Sequence, residues 1–428
     1  MDSNSNVDDV FAALEKAFSE AVRDGVLPGA NNGFTGDPLT TKSIMAIASM
    51  TKLLTSIAAL QLVERQLVHL DQDISPLIPT LAAQEVLTGW DTTGRCLTQK
   101  RKNVITLRYL LTHSSGAGYD MSNPALARVT MSRGREINVG ATVNERFGYP
   151  LLFEPGTSWE YGTGIDWVGQ LVEHLTGQEL ESYMQEHIWN PLAIQRITFW
   201  PSRRIDMDAE RMRMTVRDEN SGRVVPLQRP FLTEGVSECF GGQGAYAAME
   251  DFMKVLRSIL ADDGKLLTKD TTATMFQSQL GDASRESLRK HIKSCGLNAA
   301  FIGISDNSHA YDWGFGGMLA MDDVSSGRKK GTLFWSGKPN LFWFIDRDSD
   351  LCGVFGDFGS EPSVSNLQMS CASCEAELGA ELATRRMSTG LSRIIATDNG
   401  PAQGCPGSKR DEAGEEVTNM IELREGDL

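Results

Sequence analysis

The sequence has no apolar run close to the roughly 18 residues that a membrane-spanning helix needs, which disfavours a membrane protein. The first residues, Met1 to Asn6, are polar and lack the basic and apolar pattern of a secretory signal. Seven cysteines, an odd number, are scattered along the 428 residues, as is typical of reduced intracellular proteins. These absences predict a cytoplasmic protein without a membrane partner.

Basic residues are also scarce, with 41 Lys and Arg against 56 Asp and Glu, which gives a net charge of −15. This excess of negative charge disfavours binding to nucleic acids, because phosphates need a basic surface. The six histidines are dispersed, and neither an H-E-x-x-H metal motif nor a G-x-S-x-G nucleophile elbow occurs. The glycine-rich stretch 242–247 resembles a dinucleotide fingerprint, but no parallel βαβ pattern surrounds it. The sequence therefore predicts neither a metal nor a cofactor.

What the sequence does contain is a serine and a lysine three positions apart, Ser49 and Lys52, at the start of an apolar-periodic segment. Apolar residues recur there with helical spacing, which predicts an amphipathic helix over 49–67. Ser49 and Lys52 then share one face of the first turn, where the positive end of the helix dipole favours a neutral lysine amine. Because a neutral amine can accept the serine hydroxyl proton, the pair predicts a nucleophile and its base.

The same S-x-x-K spacing occurs twice more, at Ser287 with Lys290 and at Ser326 with Lys329. The first of these pairs lies in a polar stretch, and the second lies in a turn-like Ser-Ser-Gly-Arg-Lys run. Neither opens an apolar-periodic segment, so both are interpreted as solvated surface.

The order of the predicted elements indicates an α+β fold with an inserted helical region. Helices are predicted over 7–24, 49–67 and 249–261, and over 168–187 within a mainly helical insert that spans about 73–239. Strand-like runs bounded by glycine follow, and they predict an antiparallel meander over 331–335, 341–345 and 351–355. A catalytic domain is expected over 7–360, and the acidic residues 361–428 are expected to form a mobile tail.

Five segments in this order resemble the motifs of class C β-lactamase-like serine hydrolases. They are 48–54 around the nucleophile, 110–116 (LLTHSSG), 153–163 (FEPGTSWEYGT), 241–251 at a helix start, and 335–337 (WSG) in the place of the family's K-T-G. Five motifs in the family's order are far more specific than any one of them. Trp at the K-T-G position makes the chain resemble two branches of the family, the family VIII esterases and the fungal transesterases of the lovastatin-pathway type.

The resemblance implies a β-lactamase/transpeptidase-like fold, in which helices flank an antiparallel sheet, with Ser49, Lys52 and Tyr161 as catalytic residues. Ser49 would carry the acyl group as an ester, Lys52 would share its proton, and Tyr161 would pass a proton to the leaving group. The backbone N–H groups of Ser49 and Lys338 would bind the oxyanion. Further substrate contacts are implied for Gly337, Ser336, Trp335, Phe153, Trp159 and Thr163.

The function that the resemblance implies is acyl transfer from a thioester or ester donor, through Ser49, to an alcohol of a small molecule in secondary metabolism. A CoA thioester or an acyl carrier protein is the implied donor, and an aromatic pocket that includes Trp313 suits an acyl chain or a polyketide. Hydrolysis of small esters or lactones is one alternative, and a catalytically dead binding protein is another. Thr163 replaces an asparagine that is frequent in the family, which disfavours penicillin hydrolysis.

Overall fold

The computed structural model of the chain describes residues 40–217, 224–228, 231–294, 310–324, 328–338, 341–355 and 394–395. The helix predicted over 7–24 lies outside these residues, as does the tail predicted over 361–428 apart from 394–395. Within the described part of the chain, no helix is long and apolar enough to cross a membrane.

The chain combines helices with antiparallel sheets and is an α+β protein. Its α-helices are α1 Thr51–Glu64, α2 Pro79–Ala82, α3 Leu107–Leu111, α4 Pro124–Ser132, α5 Val143–Phe147, α6 Gly164–Thr176, α7 Leu180–Met184, α8 Ile205–Ala209, α9 Met249–Ala261, α10 Lys269–Met275 and α11 Asp282–Ser294. Its strands are β1 Met45–Ala46, β2 Val86–Trp90, β3 Cys96–Gln99, β4 Ile197–Thr198, β5 Thr215–Arg217, β6 Val224–Pro226, β7 Tyr246–Ala247, β8 Tyr311–Trp313, β9 Met318–Ala320, β10 Leu333–Gly337, β11 Leu341–Asp346, β12 Leu351–Phe355 and β13 Ile394–Ile395.

The largest sheet has the spatial order β13-β12-β11-β10-β9-β8, and only the pairing of β12 with β13 is parallel. Its strands are rich in aromatic and aliphatic residues, which favour a pleated and buried surface, and every residue of β10, β11 and β12 is buried. Helix α9, which has its predicted bounds, packs against the sheet with Met253 Sδ 3.8 Å from Cys352 Sγ. The antiparallel pairing of β10 with β11 and of β11 with β12 confirms the predicted meander.

Helix α1 is enclosed on all sides, because residues 51–62 are all buried. The prediction of a helix is confirmed, but the prediction that it is amphipathic is wrong, since its polar side chains also point into the protein. Hydrogen bonds accommodate them: the Thr55 hydroxyl donates to the Gly241 carbonyl, and the Ser56 hydroxyl donates to the Lys52 carbonyl. Paired polar groups cost little when buried, so α1 can serve as a central element of the fold.

The region over 73–239 is less uniformly helical than predicted. It contains the β2–β3 hairpin and the short antiparallel pair β5–β6 in addition to α2 to α8. The helix predicted over 168–187 is interrupted at Gly177, which ends α6 in a left-handed conformation with φ 67°. Because a left-handed glycine terminates helical hydrogen bonding, the chain turns and begins a new helix, α7.

The end of β10 lies against the start of α1. Strand β9 pairs only with Leu333 and Phe334, so among the described residues the end of β10 has no strand neighbour on that side. A Cβ atom on Gly337 would lie 2.6 Å from the carbonyl oxygen of Ile47, which precedes α1. Only glycine permits such a close approach, and it brings the sheet to the turn that carries Ser49.

Candidate active site

Ser49 lies in a tight 3-10 turn at the entrance to α1. The preceding Ala48 has a φ of 44°, a left-handed conformation that alanine rarely adopts. Backbone hydrogen bonds hold this turn, from the Ile47 N–H to the Ala245 carbonyl and from the Met50 N–H to the Ile47 carbonyl. Strained residues are concentrated at functional sites, and Ser49 itself is only half-buried, so a ligand can reach it.

Lys52 lies one helical turn after Ser49, and its side chain is fully buried. Its Nζ donates to Ser49 Oγ at 3.3 Å, to Tyr119 Oη at 3.3 Å and to the Gly242 carbonyl at 2.7 Å. These three acceptors engage all three N–H bonds of an ammonium group. The serine and lysine that the sequence singles out are therefore in hydrogen-bond contact.

Tyr119 and Asp166, which the sequence analysis did not single out, complete the surroundings of Lys52. Tyr119 Oη donates to Asp166 Oδ2 at 3.0 Å, and Asp166 Oδ1 accepts from the Gly242 N–H at 2.9 Å. Burial raises the pKa of Asp166, and the positive charge of Lys52 opposes that rise. Burial and the nearby carboxylate raise the pKa of Tyr119 well above its usual range, which keeps it a neutral phenol. An acidic residue in the first turn of the apolar helix α6 was the signal that could have indicated Asp166.

Tyr161 covers the other side of Lys52. The centre of its ring lies 4.7 Å from Lys52 Nζ, and its Oη accepts a hydrogen bond from the indole N–H of Trp335 at 3.1 Å. Trp335 belongs to β10, so the sheet and the segment 153–163 meet above Lys52. The structure thus brings Ser49, Lys52 and Tyr161 together.

Aromatic rings enclose this side of the site. Trp313 of β8 lies with its ring centre 4.8 Å from that of His113, 5.7 Å from that of Trp159 and 4.7 Å from that of Trp335. His113 accepts a backbone hydrogen bond at Nδ1, and burial together with the charge of Lys52 holds its pKa well below the usual range. The imidazole is therefore neutral, and because Trp159, Trp313 and Trp335 are themselves buried, these rings pack against one another beside Tyr161.

Gly337 and Lys338 border the nucleophile. Gly337 lies against the turn that carries Ser49, and the exposed Lys338 directly follows it. Phe153 is half-buried, and its backbone packs on Gly116. An acyl carbonyl attached to Ser49 would consequently lie close to the end of β10.

Thr163 and Ser336 differ from the substrate contacts that were expected of them. Thr163 is fully buried, with its N–H donating to the Ala117 carbonyl at 2.8 Å and its hydroxyl 3.5 Å from the same oxygen. Ser336 is also buried, and the alternation of side chains along β10 turns it to the opposite face from Trp335. Both side chains therefore pack around the site instead of forming its accessible wall.

The lysines of the other two S-x-x-K sequences are in exposed ion pairs, as expected for surface, whereas Ser287 is half-buried and its hydroxyl lies 2.8 Å from Ser158 Oγ. Ser287 and Lys290 belong to α11, where Lys290 is exposed and forms an ion pair with Glu286. Lys329 forms an exposed ion pair as well, whereas Ser326 lies outside the described residues.

The site offers a hydroxyl nucleophile, a lysine amine and a tyrosine phenol, which together can transfer an acyl group through a serine ester. In the part of the chain that the structure describes, no group of three or more His, Cys, Asp or Glu side chains is arranged to bind a metal ion. Lys52 contacts Ser49 directly, and Asp166 is linked to Lys52 through Tyr119 and Gly242.

Comparison with known proteins gives one family and several relatives. Residues 13–355 match the Beta-lactamase family. The chain is similar to the monacolin J acid methylbutanoyltransferase of Aspergillus terreus, with 36% identity over 371 residues that cover 80% of this chain and 89% of that relative. It is also similar to the lovastatin esterase of Penicillium rubens, with 39% identity over 319 residues that cover 74% and 80% of the two chains.

Among solved structures, a mutant of the simvastatin synthase of Aspergillus terreus superimposes with a TM-score of 0.79. It is 34% identical in sequence, and the match covers 90% of this chain and all of that one. A penicillin-binding protein homologue from Pyrococcus abyssi has a TM-score of 0.54 at 19% identity, which is evidence of a shared fold alone.

Proposed function

This chain belongs to the β-lactamase family, and we propose on that premise that it is a serine acyltransferase whose catalytic domain spans residues 7–360. The observation that carries the proposal is the 3.3 Å contact of Lys52 Nζ with Ser49 Oγ, beside the ring of Tyr161. Relatives at 36% and 39% identity are named a methylbutanoyltransferase and an esterase, and both activities pass an acyl group to an oxygen nucleophile.

In the first half-reaction, Lys52 takes the proton of Ser49 Oγ while this oxygen attacks the acyl carbonyl of a thioester or ester donor. The new C–O bond forms, the bond to the leaving thiol or alcohol breaks, and Tyr161 gives the leaving group a proton. The proton now on Lys52 balances the charge left on the Tyr161 oxygen. The backbone N–H groups of Ser49 and Lys338 stabilise the intermediate oxyanion.

In the second half-reaction, an acceptor alcohol gives its proton to the Tyr161 oxygen while its own oxygen attacks the serine ester. The bond between the acyl carbon and Ser49 Oγ breaks, and Ser49 recovers a proton from Lys52. Every proton is exchanged among three side chains that lie within one cluster, and the enzyme returns to its starting state.

Transfer competes with hydrolysis at the acyl-enzyme, because water can attack the same ester. An acceptor that is bound in line gains an effective molarity of roughly 10⁵ M or more, which outweighs the excess of water. The half-buried Tyr161 lies beside the buried, uncharged rings of Trp313 and Trp335, and this apolar environment supports a bulky apolar acceptor or acyl chain. We assign the donor to a CoA thioester or an acyl carrier protein, and the enzyme to cytoplasmic secondary metabolism.

The test is to supply a 2-methylbutanoyl thioester, either of CoA or of N-acetylcysteamine, together with a panel of hydrophobic polyketide alcohols. Formation of an ester product at a rate that depends on the alcohol supports transfer. If only free acid forms, at a rate that no alcohol changes, the transferase proposal fails. Ser49→Ala serves as the control for background acylation.

Hydrolysis is the second candidate, and the 39% identity to an enzyme named lovastatin esterase favours it. The first half-reaction is the same, and water replaces the alcohol in the second. The ratio of ester to free acid in the experiment above separates these two outcomes. Absence of any Ser49 adduct would instead indicate a binding protein.

A further inference from the structure

Asp166 lies behind Lys52, away from Ser49, and no step of the proposed reaction uses it directly. We propose that Asp166 is a positioning residue that acts through Tyr119 to aim the lone pair of the neutral Lys52 amine at Ser49 Oγ. This inference rests on the proposed function, in which Lys52 takes the serine proton.

The amino group of Lys52 has three hydrogen-bond acceptors around it. An ammonium group has three N–H bonds, and the three acceptors are Ser49 Oγ, Tyr119 Oη and the Gly242 carbonyl. The neutral amine has only two N–H bonds and one lone pair. When Lys52 is neutral, one of its three neighbours must therefore face the lone pair, and only a neighbour with a proton to donate can do so favourably.

The three acceptors differ in whether they can also donate a proton to the Lys52 lone pair. The Gly242 carbonyl cannot, since it has no hydrogen. Tyr119 has a single hydroxyl proton, which it donates to Asp166 Oδ2 at 3.0 Å, so towards Lys52 its oxygen can only accept. Of these three acceptors, Ser49 is the one that can give its proton to the lone pair. The hydrogen-bond pattern thus points the lone pair at the nucleophile.

Asp166 is itself held in place by Gly242. Its Oδ1 accepts from the Gly242 N–H at 2.9 Å, and a Cβ on Gly242 would lie 2.5 Å from Oδ2. The Gly242 N–H therefore donates to Asp166, and the Gly242 carbonyl accepts a hydrogen bond from Lys52 Nζ. Burial raises the pKa of Asp166, and the charges of Lys52 and the more distant Arg146 oppose that rise, together with the hydrogen bonds from the Gly242 N–H and the Tyr119 hydroxyl.

A simpler role for Asp166 would be to supply negative charge that balances Lys52. The two roles differ in their dependence on Tyr119. Charge balance acts through space and does not need the tyrosine hydroxyl, whereas the aiming of the lone pair requires it. Asp166→Asn and Tyr119→Phe, made singly and together, therefore separate the two roles.

In Asp166→Asn, the amide oxygen can still accept from the Gly242 N–H, but the amide nitrogen then donates to Tyr119 Oη. The displaced Tyr119 proton can turn to the Lys52 lone pair and compete with Ser49 for it. The measurement is the rate of Ser49 phosphonylation by a fluorophosphonate as a function of pH, in the full-length chain. In this reaction Ser49 Oγ forms a bond to phosphorus, fluoride leaves, and the serine proton passes to Lys52.

We expect Asp166→Asn to lower the plateau rate at high pH by roughly 10- to 100-fold, a part of the usual contribution of a positioned base. Tyr119→Phe should lower the plateau by a similar factor. In the Tyr119→Phe background, Asp166→Asn should lower the plateau by less than threefold.

Asp251→Asn is the matched control, since Asp251 is a buried carboxylate that also accepts two backbone hydrogen bonds and pairs with a lysine. It should lower the thermal stability and leave the pH profile unchanged. An unchanged plateau in Asp166→Asn, or an equal plateau loss with and without the Tyr119 hydroxyl, overturns the inference. If the wild-type protein does not react with the probe at Ser49, the proposed function fails instead.

Discussion

Two tyrosines flank Lys52, and their surroundings differ. Tyr119 lies on the inner side, buried, with its oxygen 3.3 Å from Lys52 Nζ and its proton donated to Asp166. Tyr161 lies on the outer side, half-buried, with its ring 4.7 Å from Lys52 Nζ and its oxygen accepting from the Trp335 indole.

The difference shows how burial and partners divide the roles of two identical side chains. The inner tyrosine faces a carboxylate, which favours the neutral phenol and fixes its proton. The outer tyrosine accepts a hydrogen bond from an indole N–H, an interaction that strengthens when the oxygen acquires negative charge. Tyr119 is therefore suited to position Lys52, and Tyr161 is suited to exchange protons with a substrate.

The prediction with the largest expected effect tests the premise that Lys52, which lies between the two tyrosines, activates Ser49. Ser49→Ala should abolish the single covalent adduct formed with an activated ester and lower turnover by roughly 10⁴-fold or more. Intact-mass analysis measures the adduct. Ser287→Ala, at another S-x-x-K sequence, is the matched control and should keep the adduct. An adduct that persists in Ser49→Ala would refute the assignment of the nucleophile.

Tyr161→Phe tests the outer side of the comparison. It should lower kcat by roughly 10²- to 10⁴-fold, the contribution of a positioned acid or base, with little change in melting temperature. Tyr183→Phe is its control, because Tyr183 is a buried tyrosine whose hydroxyl donates to Gln61, away from Lys52. Near-normal kcat in Tyr161→Phe would leave Tyr119 as the tyrosine to reconsider.

Trp335→Phe sharpens the comparison by removing the indole N–H that distinguishes the outer tyrosine, together with part of the ring. A hydrogen bond to a charged oxygen contributes about 1.5–3 kcal/mol, so kcat should fall by roughly 10- to 150-fold. Trp343→Phe provides the control, because Trp343 lies opposite Trp335 in the neighbouring strand and its indole N–H has no partner among the described residues. Equal loss of kcat in both variants would indicate a packing effect and no specific role for the hydrogen bond.

The prediction with the smallest expected effect tests whether an acidic residue of α6 other than Asp166 influences Lys52 and Tyr119. Burial raises the pKa of Glu173, also on α6, from 4.5 to about 7. Since the folded pKa exceeds the unfolded one, the protonated side chain stabilises the fold below pH 4.5, and this stabilisation is lost as the pH rises through 7. Glu173→Gln should therefore melt a few degrees above the wild type at pH 8 and show no such gain near pH 4.

Activity provides the second readout for Glu173→Gln, and kcat should equal that of the wild type across the same range of pH. A loss of activity that follows the titration of Glu173 would extend the positioning role from Asp166 to the whole helix. The thermal midpoints at pH 4 and pH 8 and the kcat values on the same preparations test both points.

Local sequence was sufficient to predict the elements that carry the chemistry. The helix after Ser49, the helix over 249–261 and the antiparallel strands follow from apolar periodicity and from glycine at their ends. The prediction that α1 is amphipathic was wrong, because its polar residues are also buried, where Gly241 and the helix backbone supply acceptors for them.

The sequence by itself determined that a serine and a lysine share one helical turn, because three residues of helix fix that distance wherever the helix lies. Only the tertiary structure decided what surrounds the lysine. Tyr119 reaches Asp166 across 47 residues, Gly242 reaches Lys52 across 190, and Trp335 reaches Tyr161 across 174. These contacts depend on how helices, loops and a sheet pack, and packing over such separations leaves no periodic signal along the chain.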